Sequence, residues 1–349
     1  MYNFLFIFGL GIFLFFILKW GFTSLTQEQW QIFASIPITK NEDGTWQGIN
    51  LTYYGFFNAC AYSFGIIIIS ILLGSINIQL SFIVLLSAII LLICVPASKI
   101  IAQIVENKPN TFTVGGASFF GIVVIPWIIF IFNIVLNRFN FSQIPVISFL
   151  SAVSIGYALG EGIGRLACIS FGCCYGKPLN EAHPFFQKLF KNLNFVFYGK
   201  TKKIAYSSNL DCQPVIPIQA IVSIIFVFIG TIGAYLFLEG FFTLSFFLTL
   251  CVTQITRIFS EFLRSDFRGE MKFSAYQIMA LISLAYSFLI VLIFKAQSIY
   301  PNIINGINIL WSPSVILSIV ILWNIIFVYT GKSMVTGSKI SIYVHEDRI

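Results

Sequence analysis

Gly160-Glu161-Gly162-Ile163-Gly164-Arg165-Leu166-Ala167-Cys168 stands near the end of an apolar run over residues 144–171, and Gly172-Cys173-Cys174-Tyr175-Gly176 follows it. The run is long enough to cross a bilayer, whose hydrocarbon core takes about 20 residues of α-helix. A carboxylate and a guanidinium therefore sit one helical turn apart inside a membrane helix. Ionised side chains at that depth cost at least ~2.5 kcal/mol each, so they mark places where charge is used or paired. The question this stretch poses is what Arg165 is there to meet.

Working outward, the rest of the chain agrees with a membrane setting. Of 349 residues, 58% are hydrophobic and 9% charged, and 40 are Phe; the mean hydropathy is +0.92. Soluble domains carry about 25% charged residues, so the fold class is all-α and polytopic. Apolar runs fall at roughly 2–20, 52–74, 77–98, 118–136, 144–171, 214–238, 241–262, 273–294 and 310–330, which predicts eight or nine spans around a lipid-open central cavity. The first run lacks a basic leader and a small-residue cleavage site, so it is expected to stay as an anchor. Residues 1–50 form this anchor and a polar segment expected to hold a short interfacial helix. Residues 51–295 form a membrane core, and 296–349 add a final span and a basic tail. Within the core, residues 172–213 make a long loop arm bearing Lys177, Lys188, Lys191, Lys200, Lys202 and Lys203.

The net charge of +7 suits loop lysines facing anionic headgroups, and no aromatic–basic interleaving of a nucleic-acid reader is present. The histidines are His183 and His345, and the seven cysteines form no CxxC or Cys/His grid. No metal site and no organic cofactor are expected on that ground. A disulfide between Cys212 and Cys173 or Cys174 is open if the arm faces an oxidising compartment.

A second charged cluster, Arg257-Ile258-Phe259-Ser260-Glu261-Phe262-Leu263-Arg264-Ser265-Asp266-Phe267-Arg268, ends another apolar run. Positions 257, 261, 264 and 268 share one helical face. Glu161/Arg165 and Arg257/Glu261 are i,i+4 pairs that could satisfy themselves, and Arg264 and Arg268 could snorkel to the interface. Alternatively, arginines from two helices in a dry groove clamp a phosphodiester, because the guanidinium fork donates two parallel hydrogen bonds. Glycines 156, 160, 162 and 164 would allow close helix packing or let a lipid headgroup approach the backbone.

These clusters and the segments between them resemble the prolipoprotein diacylglyceryl transferase family, membrane enzymes that move a diacylglyceryl group from phosphatidylglycerol to a lipoprotein cysteine thiol. The resemblance covers about 240 residues, from Tyr54 to near Ile293. It rests on Tyr53-Tyr54-Gly55, Gly115-Gly116-Ala117-Ser118-Phe119-Phe120-Gly121, Gly164-Arg165, Pro217-Ile218-Gln219, Arg257 through Asp266, and Ser274-Ala275-Tyr276-Gln277. It implies that Arg165 and Arg257 grip the lipid phosphate, that Glu261 orients Arg257, and that Tyr54, Gly115, Gly116, Ser118, Gly164 and Arg264 line the substrate site. The chain departs from the family pattern at Phe120, where a histidine base is usual, at Cys168 and Phe171, which replace asparagines, and at Cys173, which replaces an acid. The proton acceptor is then sought among Glu161, Glu261, Cys173 and Cys174.

The expected function is a transferase of this kind in a bacterial inner membrane, with phosphatidylglycerol or another anionic phospholipid and a lipoprotein precursor as partners. Two other readings are a non-catalytic relative that binds such a lipid or a lipoprotein, and a transporter with an arginine-lined anion path. Lysine counting puts the arm on the cytoplasmic side, with the tail; the resemblance implies the opposite side for the arm.

Overall fold

A computed structural model of the chain describes residues 1–106, 113–266 and 273–349. Lys108, Pro109 and Arg268 lie outside the described residues. The polypeptide begins with α1 (Tyr2–Ser24), a β-hairpin of β1 (Ile32–Lys40) and β2 (Trp46–Thr52), then α2 (Tyr53–Ser75), α3 (Leu80–Glu106), α4 (Val114–Arg138) and α5 (Val146–Phe171). The arm carries α6 (Pro184–Leu189), β3 (Phe195–Val196), α7 (Lys203–Ser208) and β4 (Pro214–Val215). After it come α8 (Ile218–Leu238), α9 (Phe242–Leu263), α10 (Ala275–Ile293), the short α11 (Ile303–Ile309), α12 (Pro313–Gly331) and β5 (Lys332–Ile340). Nine helices among the described residues, α1–α5, α8–α10 and α12, are long and apolar enough to span a membrane. Eight match their apolar runs to within about four residues, and α3 runs on to Glu106 where the apolar run ended at 98.

The centre of the bundle is α5. Its apolar stretch is 72% buried, against 17% for α3 and α12, and it packs on α2, α8 and α9. Lipid tails are as apolar as leucine, so close packing and interhelical hydrogen bonds hold such helices together. The glycines of α5 serve that purpose. A Cβ on Gly65 would stand 2.9 Å from the Gly156 carbonyl oxygen, and one on Gly156 would stand 2.8 Å from that of Gly65. On the opposite face Ser223 Oγ donates to the Gly162 carbonyl at 2.6 Å. Ser151 Oγ donates to Ser245 Oγ at 2.8 Å, and Ser245 Oγ donates to the Gly233 carbonyl at 2.7 Å, tying α5, α9 and α8. The glycine-rich face is thus taken up by neighbouring helices and is not a bare flank.

Residues 21–50 correct the expectation of an interfacial helix. The first four continue α1 to Ser24, and after a single 3-10 turn at Glu28–Trp30 the chain forms the β1–β2 hairpin. The turn Asn41-Glu42-Asp43-Gly44 reverses the chain, with Gly44 at φ +83°, a conformation that costs a residue with a Cβ roughly 1–2 kcal/mol. The basic tail also acquires structure: β5 pairs with β2, giving the strand order β1-β2-β5. Four spans separate the arm from the tail, so both lie on one face of the bundle with the hairpin.

The arm is packed down. Its Tyr198 amide donates to the Thr26 carbonyl at 3.1 Å, and Thr201 and Gln31 exchange two hydrogen bonds of 2.7 Å. Of its lysines, Lys202 is fully buried and donates from Nζ to the carbonyls of Leu25 and Ser170, each at 2.9 Å.

Candidate functional site

Tyr157, Glu161 and Arg165 follow at intervals of four on α5 and so project from one face. Arg257 of α9 meets that face: its guanidinium donates to Glu161 Oε2 at 2.8 Å and to Tyr157 Oη at 2.5 Å. Arg165 donates to the other oxygen, Glu161 Oε1. One carboxylate is thus shared by two guanidiniums from separate helices. Side-chain exposures of 4% for Glu161, 10% for Arg257 and 11% for Arg165 place the cluster inside the bundle. Two positive charges oppose one negative charge, and the Nε donors of both arginines are buried and meet no acceptor among the described residues. A buried donor left unmet costs about 1–3 kcal/mol. An anion with several oxygens could satisfy both.

The first turn of α4 closes on this cluster. A Cβ on Gly115 would lie 2.7 Å from Arg257 Nη1 and 2.9 Å from Tyr276 Cδ1, so only glycine lets the backbone approach the guanidinium. Ser118 Oγ donates to the Gly115 carbonyl at 3.0 Å. Gly116 instead packs against Ile101, and Gly164 makes ordinary contact with Ala61 at 3.5 Å.

Glu261 does not orient Arg257, correcting what the resemblance implied. It lies 3.4 Å from Arg264, and Glu161 supplies the carboxylate for Arg257. Helix α9 ends at Leu263, and Arg264 adopts extended backbone with ψ 152°. Its fork then turns to Asp266, with two bonds of 2.8 Å. Both carboxylates considered as proton acceptors therefore have oxygens committed to guanidiniums.

The third group lies where α5 ends. Gly172, left-handed at φ +69°, stops the helix, and the amide of Cys173 donates back to the Cys168 carbonyl at 3.0 Å. Cys174 is left-handed as well, at φ +57°. This reversal brings the thiols of Cys168, Cys173 and Cys174 within 4.8 Å of one another. Hydrogen bonding to Cys168 and Cys174, together with burial, holds the Cys173 thiol well above its ordinary range. Tyr54 packs against Phe171, ring centroids 5.3 Å apart and planes tilted by 52°, and faces the same thiols. Arg165 stands between the groups, close enough to Glu161, Cys168, Cys174 and Arg264 to interact electrostatically with each. Cys212 is an exposed thiol outside the cluster, and Cys173 is a buried thiol, so no disulfide joins them.

Tyr157 went unrecognised in the sequence, and Gln219 and Asp266, though within segments of the resemblance, had no role assigned to them. Tyr157 could have been found, since it completes the i,i+4,i+8 series with Glu161 and Arg165. Gln219 donates to the Cys173 carbonyl at 2.8 Å, a role no local pattern announces. Gln277 closes a capping box with Ser274 and donates to the Ile258 carbonyl at 3.0 Å, fixing α10 on α9.

Comparison with curated proteins gives no match. The family model for prolipoprotein diacylglyceryl transferase matches residues 45–293, which takes in α2 to α10, the paired arginines and the thiol turn. The chain is a multi-pass membrane protein that belongs to the prolipoprotein diacylglyceryl transferase family.

Proposed function

We propose that the protein transfers a diacylglyceryl group from phosphatidylglycerol, or a similar anionic glycerophospholipid, to the cysteine thiol of a lipoprotein precursor in a bacterial inner membrane. The observation that carries this reading is the surplus positive charge of Arg165 and Arg257 around Glu161, with two buried Nε donors unmet. A phosphodiester supplies the missing acceptors and the missing negative charge. Gly115 at the first turn of α4, where unpaired amides favour an anion, lies against the Arg257 guanidinium.

In the reaction the thiol gives up its proton to solvent, its sulfur attacks a glyceryl carbon, and the carbon–oxygen bond to phosphate breaks with its electron pair leaving on glycerol phosphate. Charge accumulates on that phosphate, so donors already aimed at it lower the barrier; one such donor is worth about 3–4 kcal/mol in other sites. Tyr157 and Glu161 act as positioning residues that hold Arg257 and Arg165 in place. Gly116, Gly164, Ser118 and Tyr54 shape the surrounding walls, and Arg264 holds the thiol turn to the end of α9. The family match stops at residue 293, which supports treating 296–349 as an addition to the transferase core.

A second reading, a lipid-binding relative without activity, is favoured by Phe120, which by the resemblance occupies the position of a histidine base. Purified protein incubated with labelled phosphatidylglycerol and a lipobox peptide separates the two. Thioether-linked product and free glycerol phosphate, both lost in Arg165→Ala and Arg257→Ala, are the expected result. Lipid retained with no product supports the binder, and neither binding nor product overturns both.

A further inference from the structure

Three cysteines from a helix end and the turn beyond it meet in one place, and the local backbone is built to keep them there. Cys168 belongs to the last turn of α5, and Gly172 and Cys174 take left-handed conformations, at φ +69° and +57°. For cysteine this costs roughly 1–2 kcal/mol, a strain that persists only where the surroundings impose it. The restraints come from several directions. Gln219 of α8 holds the Cys173 carbonyl at 2.8 Å, and the Ile204 amide holds the Gly172 carbonyl at 2.9 Å. The Ser265 amide, just past α9, holds the Tyr175 carbonyl at 3.1 Å. Tyr175 is itself buried, with its hydroxyl against Ser207 and Ser208.

The geometry points to a three-thiolate site for a thiophilic divalent d10 cation, Zn2+, on Cys168, Cys173 and Cys174, with a fourth position open to an incoming thiol. Three sulfurs bound to tetrahedral zinc at about 2.3 Å lie about 3.8 Å apart, and here the sulfurs are within 4.8 Å of one another before any ion draws them in. Thiolates suit soft or borderline cations, and among the described residues no histidine or carboxylate joins the group to favour a harder one. Charge fits too. Two positive and three negative charges leave the metal centre at minus one, and among the described residues Arg165, Arg264 and Lys203 are cations within electrostatic reach. A site with three protein ligands keeps a place for an exogenous one, and a thiol that coordinates zinc is deprotonated outright. Its proton passes to solvent as a zinc–sulfur bond replaces a zinc–water bond, with no change of oxidation state. The second half of this inference rests on the transferase reading, in which a thiol must lose its proton although Phe120 replaces the usual base. The metal site itself does not.

The test uses full-length protein in lipid nanodiscs, purified without chelator or added thiol. Zinc stoichiometry and zinc-edge X-ray absorption should give one ion per chain with three sulfur neighbours. Co2+ substitution should give a thiolate charge-transfer band. Cys168→Ser, Cys173→Ser and Cys174→Ser should each weaken Zn2+ at least about tenfold, since even an outer partner of a zinc ligand is worth about 10–100-fold. Cys212→Ser should leave affinity unchanged. Sub-stoichiometric metal, fewer than three sulfurs, or binding that survives replacement of all three cysteines would show an adventitious ion only and overturn the site. The X-ray readout is made on the unsubstituted chain, so a variant that misfolds does not shield the inference. Adding a lipobox peptide should shift the Co2+ spectrum, and a Cys→Ser peptide should not. An unmoved spectrum overturns the open fourth position and leaves the transferase reading intact. A shifted spectrum with no lipid transfer upholds the site and counts against the transferase.

Discussion

Glu161→Gln tests the shared carboxylate directly. The substitution keeps shape and one acceptor oxygen while removing the single negative charge between Arg165 and Arg257. Both guanidiniums are about nine-tenths buried, at 11% and 10% exposure, so solvent does little to screen them. Removing one partner of a buried ion pair costs about 3–5 kcal/mol. Here one carboxylate serves two cations, so the upper part of that range is expected. Equilibrium unfolding in mixed micelles of neutral lipid measures the loss. The same titration with phosphatidylglycerol should return more stability to Glu161→Gln than to the unsubstituted chain, because a phosphate then supplies the absent negative charge. A double-mutant cycle with Arg257→Gln should show coupling at or above the ~0.5–3 kcal/mol usual for groups in contact. Equal stability of Glu161→Gln and the unsubstituted protein, or an Arg257→Gln cost that is the same in both backgrounds, would refute a carboxylate shared by the two arginines.

Two further outcomes are expected. Gly115→Ala places a Cβ 2.7 Å from Arg257 Nη1 and should lower transfer activity by up to about 100-fold through misplacement, whereas Gly164→Ala, with Ala61 at 3.5 Å, should stay near the unsubstituted rate; equal rates for the two would refute the role of the α4 turn. Burial pushes Lys202 down from 10.5 to about 7, so between those values the unfolded chain binds more protons and stability should rise with pH, the full cost of burial being present below about pH 7. Unfolding followed from about pH 7 to 10 should show this rise and lose it in Lys202→Met; a flat profile in the unsubstituted chain counts against a desolvated amine.

The nine spans were legible because a bilayer demands long apolar runs, and this chain has little else. The paired arginines were legible for the same reason: charge stands out where charge is expensive. Which carboxylate serves which arginine was not, since i,i+4 spacing treats each helix alone. Arg257 found its partner on α5, and the end of α9 at Leu263 released Arg264 to Asp266. The thiol cluster was hidden by its own spacing. Cys168 and Cys173 become neighbours only because Gly172 and Cys174 turn the chain back, and a left-handed cysteine is not something a pattern foretells. The β-sheet was hidden by distance, because its third strand lies beyond the last span. Its first two strands sit in a segment whose polarity suggested a surface helix.

The strand order β1-β2-β5 also bears on biogenesis. The hairpin is made right after α1, and its middle strand keeps one side without a partner until α12 has been inserted and β5 emerges. Throughout translation of the core, that ribbon edge is open to stray pairing with other chains. Closing it is therefore one of the last acts of maturation, and it joins the first soluble segment to the final one. A fusion or affinity tag placed between α12 and β5 should be far more disruptive than one placed after Ile340.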